Sequence, residues 1–170
     1  PLVLADCPGH TQYTRNMVSA ASQCDAGILL VDASRGITAQ TRRHLYVCSL
    51  MRIRHLFVAI NKIDLVAEAA ATFAAQQATV QALLAALPHP FDSVVFAPTS
   101  GVQGTNVVQR APSTPWHSGP TLLDWVLQQM QAGTDAVATA GNTFVMPVQR
   151  QNRPNAQWRG YDGTVTSGTL

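Results

Sequence analysis

Three short clusters hold the residues whose types and spacing can do chemistry. The first is Asp6-Cys7-Pro8-Gly9-His10. A carboxylate such as Asp6 can hold a magnesium ion through water, and the N–H of Gly9, with no side chain in the way, can approach a terminal phosphate oxygen. The imidazole of His10, with an ordinary pKa of ~6.5, can position or polarise an attacking water. Cys7, His10 and Cys24 also carry zinc-ligand atoms, but the C-x₂-C pair that anchors most such sites is absent. The second cluster is Asn61-Lys62-Ile63-Asp64, which contains the only lysine in a chain with ten arginines. A carboxylate at Asp64 can accept two hydrogen bonds side by side, and guanine offers two adjacent donors, N1–H and the exocyclic amine. Adenine lacks that pair, so a site built around Asp64 leaves its carboxylate unsatisfied when the wrong base binds. The Asn61 amide can donate to the base edge and tie neighbouring loops, while the methylene stem of Lys62 can cover the ring. The third cluster, Ser100-Gly101, is ordinary loop chemistry taken alone. Its place after the other two gives it meaning, since a backbone N–H there can donate to guanine O6.

These clusters must be carried by the ends of buried strands. Residues 1–5 read as a strand, 6–11 as a loop and 12–22 as a helix. Residues 26–31 form a continuous apolar run, the mark of a parallel strand covered on both faces. A helix is expected over 38–51, with Thr38 as its N-cap and Leu45, Cys48 and Met51 on one side. Residues 55–60 are the next buried strand and run directly into Asn61. An alanine-rich helix over 68–87 stops at Pro88 and Pro90, a strand follows at 93–97, and a helix at 120–131 opens on Pro120. Alternation of this kind implies a doubly wound parallel sheet, whose ligands bind outside the carboxyl ends of the strands. All three clusters fall at such ends.

The texture changes after residue 131. Residues 132–142 (AGTDAVATAGN) are small and polar and read as a linker. Two strand-like runs follow, 144–149 and 160–165, around an Asn152-Arg153-Pro154-Asn155 turn. The expected organisation is a nucleotide-binding domain over 1–131, a linker over 132–142 and the start of a β domain over 143–170.

Composition excludes several classes. With 46% hydrophobic and 12% charged residues, the 170-residue chain is not disordered. A net charge of +2, scattered along the chain, gives no argument for a nucleic-acid-binding surface. No apolar run reaches the ~18 residues a membrane helix needs. Three cysteines, Cys7, Cys24 and Cys48, suit reduced cytoplasmic thiols better than a disulfide framework. Arg42, Arg43, Arg52 and Arg54 cluster on and after one helix and read as a solvated face. The chain opens and closes inside strand-like stretches, which suggests a piece of a longer protein. A G-x₄-G-K-[ST] phosphate loop is absent. Without that cradle these 170 residues are not expected to hydrolyse GTP by themselves.

Residues 6–17, DCPGHTQYTRNM, resemble the second-switch region of the translational-type GTPases, the superfamily of elongation factor Tu. Gln12-Tyr13-Thr14-Arg15 is closer to one branch, the large GTP-binding subunit of bacterial sulfate adenylyltransferase (ATP sulfurylase). Four further stretches agree: ILLVDA at 28–33, QTRRH at 40–44, WHSGPTLL at 116–123 and PVQRQNRPNAQWRGYDGTVTSG at 147–168. The last resembles the opening of that subunit's second domain and discriminates best.

The resemblance implies a P-loop GTPase-type sheet lacking its N-terminal part, followed by the start of a β-barrel. It implies a cytoplasmic subunit that binds GTP and Mg²⁺ and pairs with a smaller catalytic subunit. Together they would form adenosine 5′-phosphosulfate from ATP and sulfate, driven by GTP hydrolysis. Carried over by position, Asp6 would hold magnesium through water, Gly9 would sense the γ-phosphate and His10 would position water. Cys7 and Pro8 complete that turn, and cysteine stands where threonine is expected in this branch. Asn61, Lys62 and Asp64 would read guanine, with Ser100 and Gly101 closing the pocket; alanine is usual at Gly101. The segment holding Arg15, Asn16 and Met17 would move with nucleotide state. The alternative within the superfamily is a factor that delivers aminoacyl-tRNA. In some relatives the chain continues into an adenylylsulfate kinase domain.

Overall fold

Burial along residues 55–61 sets the architecture. Every residue from Leu56 to Ile60 is buried, as in a strand covered on both faces. The structure is a computed structural model, and it describes residues 2–7, 14–137, 143–155 and 157–168. In order these form α1 (Thr14–Ala21), β1 (Ala26–Asp32), α2 (Ala39–Leu50), β2 (His55–Asn61), α3 (Ala69–Ala85), β3 (Ser93–Pro98), α4 (Leu122–Val137), β4 (Arg150–Asn152) and β5 (Gly160–Asp162). A 3₁₀ turn, Ile63–Leu65, follows β2. The chain divides into two compact units, Pro1–Gln129 and Met130–Leu170.

In the first unit β1, β2 and β3 form a parallel sheet in that order. Leu56, Val58 and Ile60 join Leu29, Val31, Leu45, Phe73 and Val80 on one face, under α2 and α3. Phe57 and Ala59 join Ala97 and Trp125 on the other, under α4, with the Phe57 and Trp125 rings 5.3 Å apart. This is the layered α/β arrangement expected from the strand–helix alternation. Thr38 caps α2 as its spacing suggested. Its hydroxyl accepts from Thr41 N, and Thr41 Oγ1 accepts from Thr38 N, which closes a capping box. Among the described residues no helix is long and apolar enough to cross a membrane.

Three expectations need correction. Residues 2–5 form no strand: Leu2, Val3 and Leu4 are 58, 86 and 78% exposed. An apolar run becomes a strand only against a ladder partner, and among the described residues none lies along this one. The edge of β1 is likewise open, with Leu30 65% exposed. The expected linker starts too early, because α4 runs on to Val137. Its AGTDAV stretch holds no proline, and one glycine costs a helix only about 1 kcal/mol; residues 138–142 lie outside the described residues. In the second unit the run at 144–149 contributes only a bridge between Val145 and Ser167. The paired strands are β4 and β5, antiparallel with Gln151 opposite Tyr161. Their connection is held by Asn155 Oδ1, which accepts from Gln157 N and Trp158 N.

Helix α1 brings the cysteines together. Met17 and Ala21 pack with Val47, Cys48 and Ile53, and Cys7 rests against that cluster. Burial, with Cys7 and Cys24 nearby, pushes the Cys48 thiol up to about 11.

His117 makes the first unit sensitive to acid. Its ring packs edge-on to Phe73 at 5.8 Å, and its buried Nε2 has no hydrogen-bond partner. Burial first, then the charge of Arg110, lowers its pKa, against an opposing hydrogen bond to the Pro120 backbone. A histidine lowered in the fold favours the folded state fully above its unfolded value of ~6.5 and loses that contribution as pH falls toward the folded value. His44, lowered by burial and by Arg43, acts in the same direction. We expect the thermal midpoint to fall between about pH 7.5 and 5.5, and to fall less in His117→Gln. Melting curves at the two pH values check this; an unchanged slope in the variant would contradict it.

Candidate functional site

Three loops meet beyond the carboxyl ends of β1, β2 and β3, and Asn61 stitches them. Its backbone carbonyl accepts from Ala33 N at 2.8 Å, which joins the loop after β1. Its side-chain Oδ1 accepts from Gly101 N at 3.1 Å and Thr99 Oγ1 at 3.4 Å, which joins the loop after β3. A backbone N–H can only donate, so this contact also fixes the amide orientation. The Asn61 NH₂ is left directed elsewhere, and no described residue accepts from it. Ile63 N donates to Thr99 O at 3.1 Å, and the Ile63 side chain is buried in the core. Ala33 O in turn accepts from Gln76 Nε2 of α3 at 2.7 Å.

Lys62 and Asp64 sit on the outside of this stitched base. The Lys62 backbone is left-handed, with φ 62° and ψ 34°. Its ammonium donates to Asp32 Oδ2 at 2.7 Å. Asp64, in the 3₁₀ turn, is exposed and forms no hydrogen bond or ion pair with the described residues. A carboxylate held on a rigid turn with both oxygens open can receive a ligand that offers two adjacent donors.

Ser100 is fully buried. Its hydroxyl accepts from Gln103 N at 3.2 Å and its own N donates to Thr105 O at 3.3 Å, so both groups shape the loop. Gly101 N is used by Asn61. A Cβ at Gly101 would lie 4.0 Å from Asn61 Oδ1 and meet nothing closer, so alanine fits there equally well.

The first cluster is only partly described. Asp6 is exposed, Cys7 rests on the α1–α2 cluster, and Pro8, Gly9 and His10 lie outside the described residues. No hydrogen bond or ion pair joins residues 6–7 to the 61–64 loop among the described residues.

Two contributors were not evident from motifs. Asp32 faces Asn61 in the parallel ladder and holds Lys62. Asn106, 2% exposed, organises the whole connection from β3 to α4. Its Nδ2 donates to Pro98 O and Thr114 Oγ1, and its Oδ1 accepts from Ala111 N. The ILLVDA stretch contained the signal for Asp32; nothing local marked Asn106.

Residues 1–132 match the family model described as elongation factor Tu GTP binding domain. The chain belongs to that GTP-binding domain family. Over 168 residues it is 46% identical to sulfate adenylyltransferase subunit 1 of Citrobacter koseri, a match covering 99% of this chain and 34% of that protein. The chain thus spans about a third of the length of that curated relative. Among solved structures it resembles translation elongation factor SelB of Methanococcus maripaludis in complex with the GTP analogue GppNHp. That likeness has a TM-score of 0.58 at 22% identity, over 96% of this chain and 32% of the other. It also resembles sup35 complexed with GDP, with a TM-score of 0.56 at 26% identity, over 89% of this chain and 39% of the other. The three-stranded parallel sheet is therefore part of an elongation factor Tu-like GTP-binding domain.

Proposed function

We propose that this chain is the guanine-reading part of a GTP-dependent sulfate adenylyltransferase large subunit. The observation that carries the reading is the Asn61 stitch, which sets an open Asp64 carboxylate on a rigid turn beside Gly101 and Lys62. Asp64 accepts from guanine N1–H and the exocyclic amine. The Asn61 NH₂ donates to the base edge, the Lys62 stem covers the ring, and Ser100 and Gly101 wall the pocket. An exposed carboxylate at Asp6 suits a magnesium ion held through water, and that ion would supply charge neutralisation at the phosphates. Cys7 and Pro8 lead into Gly9, which senses the terminal phosphate, and His10 positions the attacking water. The GTP-binding domain covers the first part of the chain through α4, and residues 143–170 begin a β-barrel domain.

In the whole protein, GTP hydrolysis here would drive formation of adenosine 5′-phosphosulfate from ATP and sulfate on a smaller catalytic subunit, in the cytoplasm. The 46% identity to a sulfate adenylyltransferase subunit over nearly the whole chain supports this above tRNA delivery.

Competitive titration of the intact protein with GDP and ADP tests the reading. GDP should bind at least ~100-fold more tightly, since only guanine offers the two adjacent donors that satisfy both oxygens of the Asp64 carboxylate. Equal affinity, or a preference for ADP, would overturn it. The 170 residues alone should release no phosphate from GTP above background; measurable turnover would contradict the need for a separate phosphate cradle.

A further inference from the structure

Strands β1 and β2 end in register, with Asp32 opposite Asn61. This puts a carboxylate from one strand beside the loop that the other strand feeds. Asp32 is held from two sides. Its Oδ2 accepts from Lys62 Nζ at 2.7 Å, and its Oδ1 accepts from Ser34 N at 2.9 Å and Ser34 Oγ at 2.6 Å. The Lys62 hydrogen bond, and after it those from Ser34, hold this carboxyl well below the usual carboxylate range. The Asp32 carboxylate therefore stays charged throughout the neutral range.

Lys62 is unusual at both ends. Its backbone occupies the left-handed region, which residues with a Cβ adopt only where the surroundings enforce it. Here the neighbouring carbonyl is pinned by Ala33 N, the next N–H is pinned by Thr99 O, and the ammonium is pinned by Asp32. A lysine side chain free at its tip samples many rotamers, and ordering it on binding weakens the ligand. One fixed at both ends has already lost that freedom. Its stem becomes a standing wall of the pocket.

We propose that Asp32 is a positioning residue for guanine nucleotide binding, acting through its contact with Lys62 to hold the lysine stem in place beside Asn61 and Asp64. The inference rests on the guanine reading of this site. It assigns Asp32 no contact with the nucleotide.

A double-mutant cycle on the intact protein tests it, read as the affinity and release rate of a fluorescent GDP. Asp32→Ala should weaken GDP about fivefold, chiefly through faster release. In a Lys62→Met background, which keeps the stem and loses the charge, Asp32→Ala should change nothing further. Asp32→Glu should recover part of the loss. Asp32→Asn keeps an acceptor for Ser34 while removing the charge, and it gives the same reading should the alanine variant fold poorly. An undiminished Asp32 effect in the Lys62→Met background would overturn the proposal, because a merely structural role does not depend on the lysine. Wild-type binding of ADP separates the two levels of failure. Without a wild-type preference for GDP, the guanine reading falls and this inference with it. With that preference intact but Asp32 variants indistinguishable from wild type, only the role of Asp32 falls.

Discussion

Asp64→Asn is expected to move the base preference of the intact protein from guanine to xanthine nucleotides. The carboxylate offers two acceptors to a base edge with two donors. The amide offers one acceptor and one donor. Guanine then places its exocyclic amine against the new NH₂ group, while xanthine places a carbonyl there and keeps N1–H for the remaining oxygen. Hydrogen bonds to a charged partner are worth about 1.5–3 kcal/mol each. Losing one and replacing it with a donor–donor clash removes about 3 kcal/mol of guanine affinity, or ~100-fold. The fold itself should not notice, since Asp64 is exposed and bonded to no described residue. Competitive titration with GDP, XDP and ADP, beside a melting curve, gives the answer. A variant that keeps its GDP affinity, or that loses every nucleotide together with its thermal midpoint, would remove Asp64 from the base-reading role.

The prediction can be this specific because the strand-end location of residues 61–64 was legible in the sequence. A short unbroken apolar run such as Leu56–Ile60, bounded by polar residues, suits a strand covered on both faces, and the motif starts where that run stops. Thr38 was legible for a similar reason: a helix start leaves N–H groups that a threonine hydroxyl can satisfy locally. Failures arose where the outcome depends on distant partners. Residues 2–5 have a strand's composition, but a strand needs a neighbour, and composition does not supply one. Residues 132–137 have a linker's composition, but nothing in them stops a helix already under way. Asp32 lies thirty positions from Lys62 and meets it only once the register between β1 and β2 is known.

Asn106 is the residue least visible in advance, and its loss should have the largest structural effect. Asn106→Ala is expected to destabilise the first unit by about 4 kcal/mol. The side chain is 2% exposed and its amide is fully committed. Nδ2 donates to Pro98 O at 2.8 Å and Thr114 Oγ1 at 2.9 Å, and Oδ1 accepts from Ala111 N at 3.1 Å. Truncation leaves the Pro98 carbonyl and the Ala111 N–H without partners, and each such buried group costs about 1–3 kcal/mol. The backbone adds to this. Asn106 has φ 51°, a left-handed conformation that asparagine tolerates better than alanine. Asn106→Gly separates the two contributions, since it loses the same bonds without the backbone penalty; it should be less harmful by about 1 kcal/mol. The consequence reaches the nucleotide because of what the amide joins. Pro98 ends β3, and the Asn106 carbonyl accepts from Leu122 N at the start of α4. Ser100 pairs with Thr105 inside the loop so closed, and Gly101 is the next residue along. Loosening Asn106 therefore frees Gly101 from Asn61. Denaturant titration should register the lost stability, and GDP release should quicken in both variants even where they remain folded. A loss of under about 1 kcal/mol in Asn106→Ala, or unaltered GDP release, would show that the loop holds its shape by other means.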